Sequence, residues 1–409
     1  MIETGIVVPN IMLPKNADMS RWACIACDQF TSEPEYWKNL EEFVGENPST
    51  LKMTLPEIYL DGTEKVRIEK INKTIEENLN GGVFKTLAKG FILTVRTTPY
   101  VQKRIGLVGA VDLEKYEYGK KTSALIRATE GTIEERIPPR LKIRENAKIE
   151  FPHVMVLFDD EKMEITEKLY EKRKGLEKLY DFELNMNGGH IEGYFVPDYE
   201  EILEKFSALL DSERLTAKYG TNDLFAFAVG DGNHSLATAK AHWNKVKQSL
   251  TEEERENHPA RYALAEFVNI YDEGIYFEPI FRFVSGVDRV KFVSELTENV
   301  KCAYEVLDGG EMKKINGANE LPLTITAVDK FITEYIAKNG GIVDYVHGVE
   351  NLTELVNAKD DTVGILFDKL NKEDLFRYVS TKGAFPRKTF SMGEGIEKRY
   401  YLEGRKIVL

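Results

Sequence analysis

The segment Gly230-Asp231-Gly232-Asn233-His234-Ser235 places a tight turn, a carboxylate, an imidazole and a hydroxyl in one short stretch. It follows the apolar run Leu224 to Val229, which has the length of a buried strand. It precedes Asn233 to about Gln248, which reads as a helix capped by Asn233 or Asp231. A strand that turns into a helix aims several backbone N–H groups at one point, and the helix dipole adds partial positive charge there. Phosphate could therefore rest on Gly230, Gly232, Asn233, His234 and Ser235. Asp231 could hold Mg²⁺ against that phosphate, and His234 could move a proton or donate a hydrogen bond. A plain helix-capping turn explains the same residues.

A second candidate is the run from Arg127 to Arg140, which holds Arg127, Glu130, Thr132, Arg136 and Arg140 around a glycine and a Pro-Pro break. Guanidinium groups grip phosphate or carboxylate bidentately, and Glu130 could serve as base or metal ligand. The alternative is a solvated, salt-bridged loop. A third is Phe385 to Gly395, where adjacent Arg387 and Lys388 could close over an anion or simply end a basic hairpin. In Cys27 to Glu33, Asp28 and Glu33 could supply carboxylates, or Ser32 could cap a helix from Pro34 onward. Lys240 falls too far along its helix to reach the turn. Cys24 and Cys27 have metal or redox spacing without a second such pair, and read as buried thiols. The histidines show neither HxxxH nor HExxH spacing, and no GxSxG, Walker A or kinase catalytic-loop pattern occurs.

The elements that must position these residues alternate. Strand patterns cover 91–98, 105–111, 154–158, 191–196, 262–268 and 363–367. Helical patterns cover 200–210, 290–300, 328–337 and 372–382, and a charged helix extends to about Leu179. A polar stretch, 122–146, leads into the strand candidate 154–158, and 398–408 reads as a final strand. A mixed α/β (α+β) architecture follows. A chain of 409 residues exceeds what one core usually organises, so two domains are expected, 1–255 and 256–409, with the charged run Glu252 to Glu256 connecting them. The second would contribute Arg387 and Lys388 to the cleft.

The formal charge of −13 disfavours nucleic acid as a partner. No apolar run long enough to span a bilayer and no signal-peptide pattern is visible, and three cysteines cannot build a disulfide framework, so the expected location is the cytoplasm.

With these motifs in order, the sequence resembles the bacterial and archaeal family known as domain of unknown function 1015. Its hallmark strand ends in Ala-Asp-Gly-His-His-Arg. Gly106 to Asp112 with Tyr116 and Gly119 resembles the family's hairpin, and Arg127, Glu130 and Thr132 its Arg-and-Glu motif. Phe277 to Arg282 resembles a "Pro-x-His-Arg" segment, and Pro386 to Phe390 a "Pro-x-Lys-Ser/Thr" segment. The hallmark turn is similar in its turn to that of the ParB and sulfiredoxin superfamily, which includes free serine kinase. Members of the unknown-function family often sit beside serine-biosynthesis genes. The resemblance implies a ParB/sulfiredoxin-like core with a mixed sheet plus a second α/β region, a nucleotide (ATP or ADP) with Mg²⁺, and serine or phosphoserine as substrate. Two positions depart from the pattern: Asn233-His234-Ser235 replaces His-His-Arg, and Phe281-Arg282 replaces His-Arg. The missing guanidinium could be supplied by Arg127, Arg136, Arg140 or Arg387.

The expected activity is phosphoryl transfer from a nucleotide to the hydroxyl of a small amino acid. The turn and Arg282 would bind phosphate, Arg127 and Lys388 would neutralise charge, and Glu130 or Glu33 would take the hydroxyl proton. Hydrolysis of a phosphorylated amino acid, or non-catalytic nucleotide binding of ParB type, are the alternatives.

Overall fold

The computed structural model describes every residue except Met1, Ile2, Asp61, Thr63, Lys120, Lys121, Ile133 and Asn319. The chain divides into two units. The first holds residues 1–275, 380–383 and 394–409, and the second holds 276–379 and 384–393. The division therefore falls at Ile275/Tyr276 rather than at 255/256, and the C-terminus returns to the first unit. The charged run at 252–256 is no connection. It forms a short helix, Glu252–Asn257, closed by a capping box between Thr251 and Glu254, within the first unit.

The apolar and β-branched runs of the first unit build one mixed sheet. In chain order its strands are β1 (Ile6–Val7), β2 (Phe91–Thr97), β3 (Arg104–Asp112), β4 (Tyr116–Glu117), β5 (Ile126–Ala128), β6 (Met155–Phe158), β7 (Glu177–Leu184), β8 (Gly189–Val196), β9 (Phe227–Asp231) and β10 (Tyr262–Asn269). The spatial order is β7-β8-β2-β3-β10-β6-β9-β5-β4, with β1 added beside β3. The pairs β6–β10, β5–β9 and β4–β5 are parallel, while β6–β9 and β3–β10 are antiparallel. Every residue of β3 is buried, as expected of a strand covered on both faces. Gly106 is there because a Cβ would lie 2.1 Å from Glu266 Oε1, so the strand admits a carboxylate from β10 only where it has no side chain.

Three helices matter to the site: α1 (Pro34–Val44), α2 (Ile137–Arg144) and α3 (Asn233–Val246). Leu236, Ala239 and Trp243 bury one face of α3 in the sheet's core, and α2 packs along α3. The polar stretch 122–146 contains both β5 and α2. The charged helix expected to reach Leu179 ends at Lys172, and β7 begins at Glu177. The expected terminal strand 398–408 is two short ones. Tyr400–Tyr401 pairs with Cys24–Ile25, and Arg405–Lys406 pairs with Ile149–Glu150.

His242 is buried on α3. Burial is the main cause, with Arg144 adding to it, of a pKa lowered from 6.5 to about 4. The folded state therefore resists protonating it. Its contribution is complete above pH 6.5 and is lost as pH falls from 6.5 towards 4. His242→Phe is expected to flatten the stability-against-pH curve over that window, as read by thermal melts at fixed ionic strength.

The second unit is built on strands β11 (Phe277–Ser285), β12 (Tyr304–Asp308), β13 (Glu311–Ile315), β14 (Ile342–His347), β15 (Thr362–Leu366) and β16 (Phe390–Met392). Their order is β13-β12-β15-β11-β14, with β16 pairing the start of β11. The helices Arg289–Asn299 and Leu321–Asn339 cover one face through Phe292, Leu296, Ile325 and Val328.

Candidate active site

The turn after β9 is built by conformation. Gly232 takes φ +75° at the N-cap of α3 and supplies no side-chain cap, so neither Asn233 nor Asp231 caps the helix as the sequence suggested. Asp231 instead accepts the Gly232 N–H at 2.9 Å through Oδ1, and its Oδ2 lies 3.3 Å from the Lys398 ammonium. A Cβ at position 232 would lie 2.9 Å from the Val154 Cα and 3.3 Å from the His153 ring. Gly232→Ala is expected to cost about 1–3 kcal/mol in chemical denaturation, from left-handed strain and this backbone contact.

His153, just before β6, therefore lies against the turn. Its Nε2 is 3.6 Å from Asp28 Oδ2 and its Nδ1 is 2.9 Å from the Tyr401 hydroxyl. Tyr401 accepts the Cys27 N–H at 3.1 Å, which leaves its own proton for Nδ1 and directs the Nε2 proton of a neutral ring to Asp28. The short pairing of Tyr400–Tyr401 with Cys24–Ile25 holds the three groups together. Burial alone would push the Asp28 carboxyl up, but the charge and hydrogen bond of His153, with Gln29 and Lys398, hold it well below the ordinary carboxylate value. Burial likewise opposes the charged form of His153, yet Asp28 and then Asp231 raise its pKa above 6.5.

Asp28, His153 and Tyr401 border a cavity of about 160 Å³. Asp28, His153, Tyr401, His234, Ser235 and Thr238 line one part of it, so the start of α3 opens onto it. Glu57 and Arg140, an ion pair with each side chain about one-fifth exposed, line another part among Met53, Leu60 and Ile143.

Several expected site residues lie elsewhere. Arg127 is buried and spends both terminal nitrogens on Asp223, at 2.5 and 2.6 Å, and Nε on the Ala124 carbonyl. Arg282, fully buried in the second unit, grips Asp329 bidentately and donates to the Ile280 and Lys388 carbonyls. In both the guanidinium is a structural tie: its charge is matched by a bidentate aspartate, and three of Arg127's five N–H donors and four of Arg282's go to protein acceptors, so neither stands as a free phosphate-binding group. Glu33 is exposed at the N-cap of α1, where no side chain caps the helix, so Ser32 does not cap it either. Glu130 is half-buried just past β5, and neither carboxylate lines the cavity. Thr132 is half-buried, Arg136 is exposed, and both lie off the cavity wall. Arg387 and Lys388 are exposed in the second unit. Arg140, His234 and Ser235 do reach the cavity. Lys240 is buried and donates to the Leu113 carbonyl at 2.7 Å, and Cys24 and Cys27 are buried free thiols, as expected.

Sequence reasoning missed His153, Lys398, Glu57 and Tyr401. A lone histidine at a strand start and residues in a supposed C-terminal strand carry no local signal, because their partners are far away in sequence. Asp231 belongs to no group of three metal-ligating side chains. Among the described residues such a group occurs only at Asp181, His190 and Glu192, on the hairpin β7–β8, where the Lys178 ammonium already sits 2.5 Å from Asp181.

Residues 9–376 match the family described as "Protein of unknown function (DUF1015)". The chain belongs to this family. No curated protein matches it. Among solved structures it is similar to free serine kinase in complex with AMP, at 10% identity and TM-score 0.41, covering 73% of this chain and 91% of that one. It is also similar to a conserved hypothetical protein from Pyrococcus furiosus, at 10% identity and TM-score 0.37 over 73% and 94% of the two chains. SbnI with a C-terminal truncation, from Staphylococcus aureus, shares 9% identity at TM-score 0.37 over 74% and 87%. At these TM-scores the likeness assigns no activity. No helix among the described residues is long and apolar enough to cross a membrane.

Proposed function

We propose that the first unit is a phosphotransferase that moves a phosphoryl group from a nucleotide, ATP or ADP, to the hydroxyl of a small amino acid such as serine. One observation carries this reading: Asp28 and His153 line one cavity with the first residues of α3, whose start has no side-chain cap, and Asp231 and Lys398 lie close enough to act on their charges. The α3 amides and the Lys398 ammonium would stabilise the transferred phosphoryl oxygens. Asp28, held by His153, would accept the hydroxyl proton as the new O–P bond forms and the bond to the nucleotide's leaving oxygen breaks. Asp28 thus takes the role first assigned to Glu130 or Glu33.

Mg²⁺ keeps several waters and needs only one or two carboxylates beside substrate phosphates. Asp231 fits as one such ligand, for an ion arriving with the nucleotide, once it gives up Lys398. The chemistry Mg²⁺ would supply is neutralisation of phosphate charge.

The test is ³¹P NMR of L-serine incubated with ATP or ADP and the purified protein. Phosphoserine appearing with loss of nucleotide supports the reading. Release of inorganic phosphate from phosphoserine with no nucleotide requirement would replace it with a phosphatase, and nucleotide binding without turnover would replace it with a regulator.

A further inference from the structure

We propose that the Glu57–Arg140 pair is a zwitterion clamp, which binds the α-ammonium of an amino acid through Glu57 and its α-carboxylate through Arg140. This deepens the reading of the cavity as an amino-acid site and rests on it.

An ion pair on a cavity wall needs a reason. Arg140 lies on α2, Glu57 lies in the single helical turn Glu57–Tyr59, and both line the cavity beside apolar Met53, Leu60 and Ile143. Taking two charges out of water costs more than a surface pair returns unless further partners satisfy them. Burial pushes the Glu57 carboxyl above the ordinary carboxylate range, although Arg140 opposes the shift. An inserted zwitterion would convert one internal ion pair into two across the interface and leave no charge unpaired. A plain anion would satisfy Arg140 but strand Glu57, and a plain cation would do the reverse. The clamp therefore selects by net charge as well as by shape.

The placement also suits the chemistry. The Glu57 N–H donates to the Cys27 carbonyl at 2.8 Å, one residue before Asp28, and Asp28 is close enough to raise the Glu57 carboxyl's pKa. An amino acid held at Glu57 and Arg140 thus has its side chain in the same cavity as Asp28.

Calorimetric titration of the full chain with L-serine, L-serinamide and glycerate tests this. Serinamide lacks the carboxylate and glycerate lacks the ammonium. The expected result is that L-serine binds and each analogue binds at least tenfold more weakly. Arg140→Met and Glu57→Gln are expected to weaken L-serine by at least tenfold while ADP affinity stays at the wild-type value. Equal binding of serine and serinamide, no serine binding by the wild-type protein, or unchanged serine affinity in Arg140→Met would overturn the clamp. The analogue comparison needs no variant, so a substitution that fails to fold leaves the test intact. Clamp-dependent serine binding without phosphoserine formation would sink the phosphotransferase and keep the clamp. Phosphoserine formed by Arg140→Met at the wild-type KM would do the opposite.

Discussion

Asp28→Asn is expected to lower phosphoserine formation by about 10²–10⁴-fold, the range over which a positioned acid–base group acts. It removes the proton acceptor and, at the same time, the carboxylate that raises the His153 pKa. The second effect has a signature that a merely structural role would not give. His153 has a folded pKa above 6.5, so its contribution to stability is complete below pH 6.5 and is lost as pH rises through the folded value. Asp28 has a folded pKa below 3.8, so its contribution is present above 3.8 and is lost only as pH falls through the folded value. Thermal melts of the wild-type protein should therefore show a loss of stability on going upward from pH 6.5 that Asp28→Asn lacks. The His242 effect lies on the acid side of pH 6.5, so the two histidines can be separated in one pH series. A variant with wild-type turnover and an unchanged pH slope would remove Asp28 and His153 from the site.

Arg399→Leu is expected to cost about 3–5 kcal/mol of stability. Arg399 is buried, and its guanidinium reaches Glu266 Oε2 at 2.8 Å, Glu403 Oε2 at 2.5 Å and the Pro152 carbonyl at 3.3 Å. Glu266 and Glu403 are themselves buried, so loss of the arginine leaves two carboxylates with their main counter-charge gone. Arg399 also touches the residue before His153 and stands between Lys398 and Tyr401, so the substitution should loosen the site as well as the fold. Urea denaturation gives the stability. Replacing Glu266, Arg399 and Glu403 together by apolar residues should recover part of the loss, since an apolar cluster of similar volume can be as stable as a buried ion triad. A loss under 1 kcal/mol for Arg399→Leu would mean that the cluster is hydrated rather than sealed.

What the sequence makes legible follows from how local each signal is. The turn at Gly230–Ser235 can be found because apolar strand, glycine and helix pattern are adjacent, and the structure places strand, turn and helix there within a few residues. The cap is different because Gly232 in the left-handed region already satisfies the chain's change of direction. Arg127 and Arg282 look like ligand-binding groups in sequence because a guanidinium serves a phosphate and an aspartate equally well. Their partners Asp223 and Asp329 stand 96 and 47 residues away, and only the fold shows that they are occupied. The relay from Asp28 through His153 to Tyr401 has no local trace for the same reason, since His153 and Tyr401 are separated by 248 residues. The domain boundary is misplaced because the run Glu252 to Glu256, which reads as solvated linker, is a capped helical turn, and because the C-terminus closes the first unit rather than the second.

A crystal structure of the protein soaked with ADP and L-serine tests the assignment of this site most directly. The expected density places a phosphate within hydrogen-bond reach of the Asn233 to Ser235 amides, with the serine hydroxyl beside the Asp28 carboxylate. Nucleotide bound away from the start of α3, with the cavity beside Asp28 and His153 unchanged, would contradict it.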